Sequence, residues 1–131
     1  KGCLEQYASA TGLVRLTKRY FEKNAKNSIL NKKEITAKEV FDAAKAGDEA
    51  ALEITEEFGA YLGQALVNLA ATVDPAVFVI GGGVSKAGNI LLDIVRKYFY
   101  DHAFYGNQKT KILLATLGND AGIYGAAKQV L

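Results

Sequence analysis

Leu4, Tyr7, Ala8 and Thr11 recur at helical spacing, and Leu13, Leu16, Tyr20 and Phe21 repeat the pattern beyond Gly12. This spacing predicts two helices with a break at Thr11–Gly12. The segment from Lys23 to Glu34 is polar and rich in Lys and Asn, as expected of a surface loop. Thr36-Ala-Lys-Glu39 then has the form of a capping box, in which the hydroxyl and the carboxylate satisfy free amides at a helix start. A short helix over Ala37–Ala46 should follow, ended by Gly47, with Asp48 capping the next. From Glu49, the positions Leu52, Phe58, Tyr61, Leu62, Ala65, Leu66 and Leu69 mark a helix of about six turns that stops at Asp74-Pro75. It is the expected central buried helix. Gly59 and Gly63 lie four apart on it, which permits a neighbouring backbone to approach closely, at a helix-propensity cost of ~1 kcal/mol each.

Ala76-Val-Phe-Val-Ile80 is a continuous β-branched and aromatic run, the signature of a strand covered on both faces. Gly81-Gly-Gly83 ends it. Helical periodicity returns over Asn89–Tyr100 through Leu91, Ile94, Val95 and Tyr98, and Lys111–Leu117 reads as a second buried strand. Gly118-Asn-Asp120 follows, with Asn119 or Asp120 able to cap a closing helix that runs to Leu131. The order strand, helix, strand, helix implies an α/β fold with a short parallel sheet, in a chain that is otherwise mostly helical. Ligands bind such folds at the carboxyl ends of the strands.

Composition narrows the class. The 131 residues are half hydrophobic, which suits one globular domain with a real core. Sixteen basic and fourteen acidic residues are interspersed, so no polybasic surface for nucleic acid or anionic lipid is expected. A single Cys excludes an internal disulfide and fits a reducing cytoplasm. No apolar stretch reaches the ~20 residues needed to span a bilayer. With no Met and a start inside a helical pattern, the chain is expected to be the C-terminal part of a longer protein.

The turn in VFVIGGGVSKAG is the strongest local signal. It is not the dinucleotide fingerprint, because the third glycine position counted from Gly81 is Lys86. Nor is it a phosphate-binding P-loop, because Gly88 is followed by Asn89 where Lys is required. What survives is a strand ending in three residues without side chains, where a flat group or a phosphate could lie against backbone donors. A tight turn that serves packing alone is the competing reading. LATLGNDAGIYGAA repeats the plan of strand, turn and helix, and two such turns on adjacent parallel strands would line one cleft.

Three motifs in this order resemble the C-terminal half of ROK-family sugar kinases, most of all bacterial glucokinases. They are Gly2-Cys-Leu-Glu5 with Tyr7-Ala-Ser9, the strand with Gly81-Gly-Gly83, and Leu117-Gly-Asn-Asp-Ala-Gly122 with Gly125-Ala-Ala127. The resemblance runs over residues 1–131. It implies the C-terminal lobe of an actin-like ATPase (ribonuclease H-like) fold, with the final helix, 121–131, expected to turn towards the other lobe. It further implies ATP-dependent phosphorylation of a hexose, glucose at its 6-hydroxyl, by the full-length parent, with Mg²⁺ accompanying the nucleotide and a cytoplasmic homodimer as the assembly.

By the same resemblance, Glu5 contacts sugar hydroxyls, and Gly81, Gly82, Gly83, Val84 and Ser85 form the adenosine-binding loop. Cys3 is the last ligand of a structural zinc whose other ligands lie upstream. Judged from the residues alone, Glu5 would be a solvent-exposed helix residue. The phosphate loop and the catalytic Asp of the family have no counterpart in these residues, so the fragment by itself is expected to be inactive. The family also holds sugar-responsive transcriptional repressors, and a sensor lobe is the alternative reading. His102, the sole His, lies outside every matched motif and is assigned a structural role. The aromatic run Tyr98–Tyr105 is core or an oligomer contact.

Overall fold

The computed structural model describes residues 2–24, 27–32 and 34–130, without the Asn119 side chain. After a 3₁₀ turn at Leu4–Gln6 come α1 (Ala10–Lys23), α2 (Ala37–Lys45), α3 (Glu49–Val73), β1 (Val77–Ile80), α4 (Asn89–His102), β2 (Lys111–Leu114) and α5 (Ala121–Lys128). Further 3₁₀ turns at Gly83–Ala87 and Gly118–Asp120 follow the two strands. This is the α/β organisation expected, mostly helical around a short parallel sheet. No helix among the described residues is long and apolar enough to cross a membrane.

The first helical boundary lies elsewhere than the periodicity predicts. α1 runs unbroken through Thr11 and Gly12, and the break falls at Tyr7–Ser9, where the Ser9 hydroxyl caps the helix by accepting from Gly12 N–H at 3.0 Å. Gly12 is not a helix breaker but a contact point. A Cβ there would stand 2.7 Å from the carbonyl carbon and oxygen of Tyr7, so only glycine lets the preceding turn lie this close.

The later caps form as their residues dictate. Thr36 and Glu39 make both bonds of the capping box, and Lys32, followed by the Thr36 hydroxyl and amide, holds the Glu39 carboxyl down to about 2. Asp48 caps α3 by accepting from Ala51 N–H at 2.9 Å, and it also accepts from the Ser28 hydroxyl and the Ile29 amide. Although its partial burial disfavours the charge, these donors keep the Asp48 carboxyl below its usual value. They also bring Leu30 of the polar loop into the core. Lys33 and part of that loop lie outside the described residues.

α3 is 25 residues long, closer to seven turns than six. It buries Ile54, Thr55 and Phe58 against α1 and α2. Gly59 and Gly63 face α4, where an added Cβ would stand 2.1 Å from Ile94 Cγ2 and 2.7 Å from Tyr98 Cδ1. Their packing role is therefore direct. Asp74 ends α3 in the left-handed region at φ 41°, where Asn107 Nδ2–H donates to its carboxylate at 2.8 Å and to the Ala70 carbonyl at 3.2 Å.

β1 and β2 pair in parallel with Val77 opposite Lys111 and Ile80 opposite Leu114. Ile80, Ile112, Leu91, Val95 and Phe99 form the core beneath the sheet. Among the described residues one face of the sheet is covered, while Val77, Val79 and Leu113 point to the other side and are exposed. A continuous apolar run shows that a strand wants burial, but not which neighbour supplies it. β2 also ends at Leu114 and not at Leu117.

Candidate functional site

Glu5 stands exposed on the 3₁₀ turn Leu4–Gln6. The turn is fastened to its surroundings from several sides. Ser9 Oγ donates to the Glu5 carbonyl at 2.7 Å, and Arg15 donates to the carbonyl and side-chain oxygens of Gln6. Tyr7 lies against Tyr61 of α3 with ring centroids 4.8 Å apart. Glu5 therefore sits on a braced turn and not within a helix. Its carboxylate is left facing solvent, where it can accept hydrogen bonds from hydroxyl groups.

Cys3 precedes this turn as a free, exposed thiol. A tetrahedral structural zinc needs four ligands. Among the described residues no group of three or more His, Cys, Asp or Glu comes together, so those residues supply one ligand of such a site and do not fit the ion by themselves. His102 is engaged elsewhere, its Nδ1 2.8 Å from the Tyr98 carbonyl and its ring stacked on Tyr98 at 4.0 Å.

The three glycines after β1 differ in why they are glycine. Gly82 has φ 74° and ψ −166°, a conformation closed to side-chain-bearing residues. Gly81 and Gly83 are under no such constraint. A Cβ at Gly81 would meet only Ala115 at 3.4 Å, and one at Gly83 only Ala10 at 3.8 Å, both ordinary contacts. Among the described residues neither backbone nor packing demands glycine at these two positions, whereas a ligand lying directly on the turn would. Ser85 donates to the Gly82 carbonyl at 2.8 Å and holds the turn, while Val84 is half-buried beside it.

Next to this turn is a cavity of about 140 Å³ lined by Ala37, Lys38, Phe41, Asp42, Gly83, Val84, Lys86 and Ala87. Its walls are largely apolar. Lys38 and Asp42 pair with each other at 2.6 Å, which raises the Lys38 ammonium and lowers the Asp42 carboxyl. The helical spacing of α2 points to Phe41 as a core residue and carries no sign of this cavity, which forms only when residues some forty positions apart meet. The capping box at Thr36 is the one local clue, since it fixes where α2 begins beside the turn.

The two candidate turns are neighbours. Ala10, the first residue of α1, lies near Gly83, since a Cβ placed on Gly83 would stand 3.8 Å from the Ala10 methyl, so the braced turn bearing Glu5 and the glycine turn flank the same helix start. The turn at Gly118–Asp120 also contacts the one at Gly83–Ala87, as adjacent parallel strands require. Of the two residues expected as caps for α5, Asp120 makes no side-chain cap bond, and the Asn119 side chain lies outside the described residues.

The model of the ROK family matches residues 1–131. A glucokinase from Halalkalibacterium halodurans is 40% identical over 129 residues, covering 95% of this chain and 39% of that protein. An N-acetyl-D-glucosamine kinase from Photobacterium profundum is 31% identical over 127 residues, covering 97% of the chain and 38% of that protein. The crystal structure of a ROK family glucokinase from Streptomyces griseus in complex with glucose and AMPPNP superposes with a TM-score of 0.86 at 35% identity. It covers 98% of this chain and 44% of that one. The chain thus spans about two-fifths of the length of the curated relatives it matches.

Proposed function

Because this chain belongs to the ROK family, we propose that it is the C-terminal lobe of a sugar kinase whose complete polypeptide transfers a phosphoryl group from ATP to a hexose, with glucose at its 6-hydroxyl as the expected acceptor. The observation that carries this reading is the placement of two turns beside the start of α1. One offers a carboxylate to hydroxyl groups, and the other offers two glycines, Gly81 and Gly83, that no contact or backbone angle among the described residues requires.

In this reading Glu5 accepts hydrogen bonds from sugar hydroxyls and orients the acceptor, a role that suits a carboxylate with several lone-pair sites. Gly81, Gly82 and Gly83 let the nucleotide lie against backbone, and Val84 and Ser85 shape the edge of the turn. The base occupies the cavity beside them, where Phe41, Val84, Ala37 and Ala87 supply the apolar surface that a flat ring buries. Mg²⁺ accompanying the nucleotide would offset charge on the transferred group. The described residues are assigned no part in holding it. The general base and the phosphate cradle belong to the rest of the polypeptide, and α5, whose Ile123 and Tyr124 are exposed, turns towards that part. Zinc, if bound through Cys3, takes its remaining ligands from the same part and is given no chemical step. A cytoplasmic homodimer completes the reading, supported by the adjacent exposed rings of Phe104 and Tyr105.

The test is made on the full-length parent, supplied with ATP and a panel containing glucose, N-acetylglucosamine and other hexoses. ATP-dependent formation of a sugar phosphate, fastest with glucose, is the expected result. Faster turnover of N-acetylglucosamine would change the acceptor and keep the kinase. Sugar binding without turnover, together with sugar-sensitive retention of DNA, would make this the sensor lobe of a repressor.

A further inference from the structure

Arg15 and Arg19 stand four apart on α1 and therefore share one face of it, where like charges repel each other. With Gln6, Tyr7 and Leu16 they line a cavity of about 190 Å³, one wall of which is the end of the turn that carries Glu5. No carboxylate is among these lining residues, so two positive charges meet there without a counter-charge. None of the ion pairs among the described residues involves either arginine. The lining shares no residue with the cavity beside Gly83.

The two guanidinium groups are engaged differently. Arg15 donates from Nη1 to the Gln6 carbonyl oxygen at 3.2 Å and to the Gln6 side-chain oxygen. Its remaining N–H groups, of the five that a guanidinium carries, are left for another acceptor. Arg19 makes no hydrogen bond to another described residue. Its charge is felt at Tyr61, whose phenol is pushed up by burial and by the Glu57 carboxylate while Arg19 acts against them. Tyr61 packs on Tyr7 with ring centroids 4.8 Å apart, so the Arg19 charge lies near the aromatic side of the cavity. Glu57, the acid on that side, accepts from the Tyr61 hydroxyl at 3.3 Å and does not line the cavity.

We infer that this cavity binds a phosphoryl group, as inorganic phosphate or as the head of a small phosphate monoester, gripped between Arg15 and Arg19. The planar fork of a guanidinium meets phosphate oxygens in a bidentate way that the point charge of a lysine does not. A phosphate monoester carries a charge of about −1.5 to −2 at pH 7 and so answers both arginines and relieves their repulsion. The volume of about 190 Å³ falls short of the roughly 300 Å³ at which pockets for larger organic ligands begin, which suits a small anion and excludes a whole nucleotide. Tyr7 and Leu16 supply an apolar wall for the carbon skeleton of a monoester. The site is independent of which reaction the complete protein performs.

The experiment follows the arginine Nε–H signals of the full-length parent by nuclear magnetic resonance on isotopically labelled arginine. The signals of Arg15 and Arg19 are assigned by their loss in Arg15→Lys and Arg19→Lys, and both side chains are exposed, so these exchanges leave the core untouched. Sodium phosphate is titrated against sodium chloride at constant ionic strength. Both signals are expected to shift saturably with a Kd on the order of 1 mM, and Arg19→Gln should weaken the affinity read at Arg15 about tenfold. Phenyl phosphate is titrated in parallel. Tighter binding than inorganic phosphate would assign the site to a monoester resting on Tyr7, and equal binding would assign it to the free ion; both results uphold a phosphoryl site. Shifts that chloride reproduces, signals that stay still up to about 50 mM phosphate, or an affinity at Arg15 that Arg19→Gln does not change would overturn it.

Discussion

Replacing Gly59 by alanine sets two effects of known sign against each other at the contact between α3 and α4. The new Cβ would stand 2.1 Å from Ile94 Cγ2 and 3.3 Å from Ile94 Cβ, where carbon atoms prefer roughly 3.5–4.0 Å. Ile94 is branched at Cβ and lies in a helix, so it has essentially one low-energy χ1 and cannot swing the methyl aside cheaply. Either the helices part or Ile94 leaves its rotamer, and overpacking of this kind costs about 1–3 kcal/mol. Against this, alanine is favoured over glycine in a helix interior by about 1 kcal/mol. The net expectation is a loss of about 1 kcal/mol, read by urea unfolding followed through far-ultraviolet circular dichroism. In an Ile94→Ala background the clashing methyl is gone and the propensity term dominates, so Gly59→Ala should then stabilise by about 0.5–1 kcal/mol. The coupling between the two sites is about 2 kcal/mol, large enough for a double-mutant cycle to resolve. A stabilising Gly59→Ala in the unaltered background, or the same sign and size in both, would refute the close contact.

Gly83→Ala should leave the melting temperature of the parent unchanged, because its Cβ meets only Ala10 at 3.8 Å, while raising the KM for ATP about tenfold or more through crowding of the bound nucleotide. An unaltered KM would make the glycine incidental. Gly12→Ala brings a Cβ to 2.7 Å from the Tyr7 backbone, so it should cost about 1–3 kcal/mol in urea unfolding and raise the KM for the sugar by shifting the turn that carries Glu5. Glu39 has its carboxyl held down to about 2 from 4.5. Its stabilising effect is complete above pH 4.5 and fades as pH falls towards 2, so Glu39→Gln should flatten the fall of melting temperature across that window. An equally steep fall in the variant would remove Glu39 as its source.

Local chemistry made much of the fold legible. Thr36 with Glu39, and Asp48 with Ala51, form the caps their spacing calls for, because a cap is decided within four residues. Gly12 misled for the opposite reason: its meaning lies in a close contact with Tyr7, which the helical spacing of nearby residues does not reveal. The strands were legible as strands, yet Val77, Val79 and Leu113 show that an apolar run does not tell which side of a sheet is covered. At the candidate site, Gly81–Gly83 could be singled out from the sequence, and the structure then separates Gly82, needed for its backbone angle, from Gly81 and Gly83, which are free of that need. The placement of Gly83 near Ala10 and the cavity around Phe41 join elements far apart along the chain, beyond the reach of any periodicity.

That two turns beside one helix start serve two different substrates of one reaction is tested by steady-state kinetics of Glu5→Gln in the full-length parent. Hydrogen bonds to a charged group contribute about 1.5–3 kcal/mol, so the KM for the sugar should rise roughly 10- to 100-fold while the KM for ATP stays within about twofold of the parent value. Equal changes in both constants, or no change in either, would contradict the assignment of Glu5 to the sugar and with it the division of labour between the turns.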